Sequence, residues 1–141
     1  MTDFTIFSKQ DYQTLAELRY ALRCFLRFSE TAAREAGLTF QQHQALLFIV
    51  GFPEREQVTI GELAERLQIR HHSTVGLVNR LEEQGLVERN QDHADRRQVF
   101  IRLTEKGTGI LKGLANTHRD ELRSLGPQLC SMLEQITSLS E

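Results

Sequence analysis

The chain has 141 residues, of which 40% are hydrophobic and 26% charged, with a formal net charge of −2. That is the size and make-up of one folded domain with a modest core, and the near-neutral total gives no global pull towards nucleic acid. No apolar run approaches the roughly 20 residues that span a bilayer, and the start MTDFTIFSKQDYQ lacks the basic end and apolar block of a signal peptide, so a cytoplasmic protein is expected. The two cysteines, Cys24 and Cys130, lie far apart and make no framework or metal spacing; two buried thiols are expected.

In chain order, Ser8 and Asp11 have the spacing of a capping box. Leu15, Leu18, Leu22, Phe25, Ser29, Ala32 and Ala36 then recur at alternating three and four, which predicts a long amphipathic helix ending at Gly37. Thr39 and Gln42 repeat the cap and open a short helix through Leu46, Leu47 and Val50. GFPEREQ, residues 51–57, reads as a loop. Thr59 and Glu62 form the clearest capping box, with Leu63, Ala64 and Leu67 on the buried side of their helix. Val75, Leu77, Val78 and Leu81 mark the next helix, which Gly85 closes. LVERN and QVFIRLT read as strands joined by QDHAD. In the second, Val99, Ile101 and Leu103 take one side and Gln98, Phe100 and Arg102 the other, the period of a half-buried strand. Thr104 caps a long helix through Ile110, Leu111, Leu114 and Leu122. Gly126-Pro127 is expected to break it, with Pro127 opening a last helix through Leu129, Met132, Leu133 and Ile136.

Two helices, a tight connection and a two-stranded hairpin make a winged helix-turn-helix. The expected fold is therefore mainly α with a small β-hairpin wing: a winged lobe at about 39–104, long helices at about 9–36 and 105–139, and one domain over 1–141. A lone hairpin is marginal in water, and Val99, Ile101 and Leu103 supply a face to pack on the helices before it. The stripes carrying Leu15, Leu18, Leu22, Leu129, Met132, Leu133 and Ile136 exceed what so small a domain can bury, which points to a symmetric homodimer.

Charge is unevenly placed. RLQIRHHSTVGLVNRL, residues 66–81, holds three arginines, two histidines and no acid, and Glu82 and Glu83 come immediately after. A local basic face of this kind acts despite an acidic total. Arg70, His71, His72, Ser73 and Thr74 open the helix whose N-terminal end enters a major groove in this class of fold. Ser and Thr suit bases or phosphates, and neutral His suits a base edge. Gly76 costs roughly 1 kcal/mol against Ala in mid-helix, so a close approach to DNA or to a neighbouring helix is expected there. Adjacent His71 and His72 point about 100° apart and cannot face one metal ion together. At the hairpin tip, Asp95 is placed to hold Arg97 by a charge-assisted hydrogen bond, and paired arginines suit a narrow, negative minor groove.

These features resemble the MarR family of bacterial transcription regulators from about Leu15 onward. The resemblance rests on TIGELAERL, VGLVNRLEEQGLVER and, most specifically, DHADRRQVFIRLTEKG. It implies an obligate dimer on a pseudo-palindromic operator in double-stranded DNA, and repression relieved by a small, often aromatic, ligand between the dimerisation helices and the DNA-binding lobe. It further implies that Arg97 enters the minor groove, Arg96 contacts phosphate and Arg80 reaches the backbone. The effector pocket is expected where the first helix, the second helix and the lobe meet, lined by Arg19, Arg23 and His43, although His43 also fits as a hydrogen-bonded half-core residue. The chain departs from the family pattern at Arg70-His71-His72 and at Gly76. No catalytic constellation, glycine-rich phosphate loop, cofactor motif or metal set appears, so neither an enzyme nor a metal site is expected. Two alternatives are a winged-helix protein-interaction module, against which the intact DRR wing argues, and a peroxide-sensing regulator using Cys24, which stands nearer the next helix than in relatives of that type.

Overall fold

A computed structural model describes residues 6–91, 94–95 and 97–138. The elements are α1 (Lys9–Glu35), α2 (Phe40–Val50), β1 (Gln57–Val58), α3 (Ile60–Leu67), α4 (His71–Glu83), β2 (Val87–Gln91), β3 (Val99–Leu103) and α5 (Glu105–Thr137). Ser8, Thr39 and Thr59 each complete a reciprocal capping box with the residue three positions on, and Thr104 accepts from the Gly107 amide. Each such cap stabilises its helix by about 1 kcal/mol. Gly37 and Gly85 stand at φ 84° and 73°, a left-handed conformation that L side chains resist, and at these two points the chain turns away from the ends of α1 and α4.

The winged lobe has its own core. Leu46 and Ile49 of α2, Leu63 of α3, Val78 and Leu81 of α4, Val58 of β1 and Ile101 of β3 are fully buried. Ala32 and Ala33 of α1 and Leu111 and Leu114 of α5 close it from the long helices. Beyond the lobe α1 and α5 run side by side in opposite directions. Ser29 meets His118, and Thr14 meets Gln135.

Three expectations about these elements are corrected. Gly126-Pro127 does not break the last helix: α5 continues through Pro127. Proline there forfeits one backbone bond, but packing against α1 outweighs it, with Met132 buried and Gln135 at Thr14. Met132 is thus already covered within the chain and is not part of a free stripe. Secondly, Gln57–Val58 is a strand, and among the described residues the antiparallel sheet runs β1-β3-β2, with Val58 opposite Ile101 and Asn90 opposite Phe100. Phe100 is therefore buried along with Ile101, whereas Val99 is 40% exposed; the hairpin is covered on both faces at mid-strand. Thirdly, Cys24 and Cys130 are both exposed, because Ala21, Ser29 and Ala32 of α1 and Met132 of α5 take the inward positions.

Leu15, Leu22 and Leu133 are exposed, as are Tyr12, Tyr20 and Leu26, so the long helices carry apolar surface that is uncovered among the described residues. Among the described residues no helix is long and apolar enough to cross a membrane.

Candidate nucleic-acid interface

The α3–α4 turn is built by Gln68, which closes α3 in the left-handed region at φ 56°. The Ile69 amide then donates to the Ala64 carbonyl at 3.2 Å, and Ile69 packs against the core. Arg70 takes the extended N-cap position of α4 and makes no side-chain cap hydrogen bond. Among the described residues no side chain caps the first amides of α4, the arrangement that attracts phosphate. Arg70, His71, His72, Ser73 and Arg80 are all exposed.

Thr74 is the exception. It is fully buried, and its hydroxyl donates to the Arg70 carbonyl at 3.0 Å. Helical spacing turns it to the same inward side as Leu77, Val78 and Leu81, so the expectation that it meets bases is corrected. Gly76 does not press on a neighbouring helix: a Cβ there would meet only the Arg80 guanidinium, at an ordinary 3.7 Å. The missing side chain leaves the outer face of α4 low beside that guanidinium.

The wing is tied to α4 by a residue that sequence reading passed over. Arg89 of β2 donates to Glu82 at 2.6 Å and to Asn79 at 2.8 Å, a forked contact that fits guanidinium geometry. Arg102 donates to Glu88 at 2.7 Å across the strands. The only sequence signal for Arg89 is an Arg in β2 within reach of the acids ending α4. At the tip, the Arg97 amide donates to Asp95 Oδ1 at 3.0 Å and its Nε at 3.4 Å, while the Arg97 side chain stays 93% exposed. Asp95 therefore holds the base of an arginine whose side chain is exposed. Arg96 lies outside the described residues.

A cavity of about 600 Å³ lies between α1, α2 and α5. Its walls are mostly apolar, from Phe25, Leu26, Leu47, Leu111 and Leu122, with His43, His118, Arg119 and Arg123 as its basic groups. Of the three residues expected to line an effector pocket, His43 does so. Arg23 does not: it lies with Tyr20, Cys24 and Arg27 along an open groove on the other side of α1, because two residues turn a helix by about 200° from Phe25. Arg19 lines neither space. The cations at the cavity come from α5 instead.

Inside, His118 Nδ1 is 2.7 Å from the Leu114 carbonyl oxygen and Nε2 is 2.7 Å from Ser29 Oγ. A carbonyl can only accept, so Nδ1 carries the hydrogen, while Nε2 shares its hydrogen bond with the Ser29 hydroxyl. The His43 ring lies 4.9 Å from that of His118, the two planes tilted by 40°. Burial, and then the electrostatic effect of the neighbouring His118, push His43 below its ordinary 6.5, so the charged form is disfavoured. Among the described residues no group of three or more His, Cys, Asp or Glu converges on a metal position.

Comparison with known proteins agrees with this geometry. A profile of the MarR family matches residues 36–98, the segment from the end of α1 to the wing. The HTH-type transcriptional regulator TtmR of Methylorubrum extorquens (strain PA1) is 30% identical over 136 residues, 89% of this chain and 68% of that protein. The organic hydroperoxide resistance transcriptional regulator of Bacillus subtilis (strain 168) is 29% identical over 110 residues, 71% of this chain and 73% of that protein. The crystal structure of AbsC, a MarR family transcriptional regulator from Streptomyces coelicolor, superposes with a TM-score of 0.70 at 23% identity, covering 96% of this chain and 90% of that one. A winged lobe with a braced arginine at its tip, carried between two long helices and matched in sequence along most of its length, places this chain in the MarR family of transcriptional regulators.

Proposed function

We propose that the protein acts as a homodimer on duplex DNA at a pseudo-palindromic operator, as a regulator and not an enzyme, in the cytoplasm where that DNA lies. Each α4 enters a major groove with Arg70, His71, His72 and Ser73, Arg80 reaches the backbone, Arg97 enters the flanking minor groove and Arg96 contacts phosphate. The observation that carries this reading is the arginine braced by Asp95 at the tip of an otherwise well-anchored hairpin. Regulation acts through the cavity between α1, α2 and α5. A small aromatic or carboxylate ligand with its apolar body on Phe25 and Leu122 and its anion towards Arg119 or Arg123 changes the spacing of the two lobes and releases DNA. It does so only through different affinities for the two spacings.

Binding titrations of Arg97→Ala on duplexes with A/T or G/C flanks test the core of this. A larger loss on A/T flanks is expected, because narrow A-tract grooves are the more negative. Equal loss on both makes Arg97 a plain phosphate contact, and no loss removes the wing from the interface. Binding is also expected to weaken steeply with salt as phosphates are neutralised; an apolar protein interface shows no such slope.

A second reading rests on Cys24, which is exposed and shares a groove of α1 with Tyr20, whose phenol the neighbouring thiol pushes up. Here an organic hydroperoxide oxidises the thiol to a sulfenic acid and leaves as the alcohol, and the modified α1 releases DNA. Peroxide treatment of the protein and of Cys24→Ser decides it, since only the thiol-bearing form loses DNA if this reading holds.

A further inference from the structure

Residues of a strand show alternate faces. On β3, Ile101 enters the core with 0% exposure, so Phe100 points the other way, yet it is only 8% exposed. The loop between α2 and β1 covers it. The Arg55 guanidinium lies 5.2 Å from the centre of the Phe100 ring and 4.7 Å from that of Phe52, and Arg66 of α3 approaches Phe52 at 5.2 Å. Arg55 also donates to the Glu62 carboxylate, whose other oxygen accepts from the Thr59 amide at 2.9 Å. Burial acts to raise the Glu62 carboxyl, but the Thr59 amide and the Arg55 guanidinium outweigh it and hold Glu62 below its ordinary range. One side chain thus joins the tip-side half of β3 to the first turn of α3.

A hairpin packed on one face only can rock about that face. Phe100 stands three residues from Arg97, and α3 packs directly beside α4, so a rigid link from Phe100 to Glu62 fixes the wing tip against the recognition helix. We infer that Arg55, through Phe100 and Glu62, is a positioning residue for DNA binding: it holds the wing at the angle that presents Arg97 to the minor groove. This rests on the reading that the wing contacts DNA.

The test is a double-mutant cycle on the A/T-flanked and G/C-flanked duplexes, with Arg55→Ala, Arg97→Ala and both together, and with melting followed in parallel. Removal of a partly desolvated cation–π contact is expected to weaken A/T-flanked binding about tenfold. In the Arg97→Ala background the same change is expected to add less than about twofold, the margin within which independent sites simply add. Arg55→Lys keeps the ion pair with Glu62 but lacks the planar guanidinium. It is expected to melt like the wild type and still lose A/T-flanked affinity, which keeps the inference testable if Arg55→Ala fails to fold. Wild-type binding by Arg55→Lys overturns the inference. So does a loss that multiplies fully with Arg97→Ala or falls equally on both flanks, since Arg55 would then be a separate backbone contact. If Arg97→Ala alone costs nothing, the wing reading falls first and the inference with it.

Discussion

Gly107→Ala is expected to damage the protein from a position with no part in DNA contact. Gly107 sits in the first turn of α5, and a Cβ built there would lie 2.1 Å from the Leu86 carbonyl oxygen, 3.0 Å from its carbonyl carbon and 3.3 Å from its Cα. All three are backbone atoms, so no flexible side chain can swing away. Helix and strand must separate by about 0.9 Å before the closest contact reaches the 3.0 Å that real Cβ atoms respect. The Leu86 carbonyl also accepts from the Thr104 amide at 3.0 Å, and Thr104 Oγ1 donates to Gly85 at 2.6 Å. That separation therefore strains the junction where α4, β2, β3 and α5 meet. Overpacking of this kind costs roughly 1–3 kcal/mol and can cost more, and a lost hydrogen bond adds about 1 kcal/mol. The better helix propensity of Ala returns about 1 kcal/mol. The net expectation is destabilisation by roughly 1–3 kcal/mol, or a Tm lower by roughly 3–12 °C for a chain of this length. Gly109→Ala is the control: it lies one half-turn on, with nothing within 4 Å, and is expected to gain up to about 1 kcal/mol. Urea and thermal melts of both variants at one protomer concentration decide the matter, because a dimer's melting depends on concentration. A Gly107→Ala protein as stable as the wild type, or gaining as Gly109→Ala does, would refute the reasoning.

Ser73→Ala is expected to change which operator sequences are preferred, by about 1–3 kcal/mol at one base position. Thr74→Val should leave preference unchanged and cost about 1 kcal/mol of stability through the lost bond to Arg70; selection from a random DNA pool plus melts separates the two. Leu133→Glu and Leu22→Glu place charge on the uncovered faces of α5 and α1, and light scattering is expected to show dissociation of an interface larger than roughly 2,000 Å². A dimer unchanged by both would move the interface elsewhere. Lowering pH through 6.5 is expected to cost stability, because His43 is held below that value when folded and takes a proton more readily when unfolded. The loss begins at the unfolded value, grows down to the folded one and then levels off. His118, Arg119 and Arg123 also face that cavity, with no carboxylate among the residues that line it. His43→Gln should therefore lessen the pH dependence, and urea titrations that give equal slopes for both proteins would count against it.

Local chemistry was legible in the chain itself. Capping at Ser8, Thr39, Thr59 and Thr104, helix ends at Gly37 and Gly85, and the Asp95–Arg97 contact involve residues a few positions apart. Side-chain reach and backbone φ settle such features without help from the rest of the fold. Tertiary structure decided whatever depended on a distant neighbour. Pro127 reads as a break until α1 lies beside it, and Phe100 reads as outward until Arg55 covers it. Thr74 reads as a base contact until α4 is rotated into the core, and the arginines of the cavity are found on α5 and not α1. Periodicity says which residues share a face of one element, but not which other element comes to cover it. Burial, and with it access to DNA or ligand, is a property of the pair.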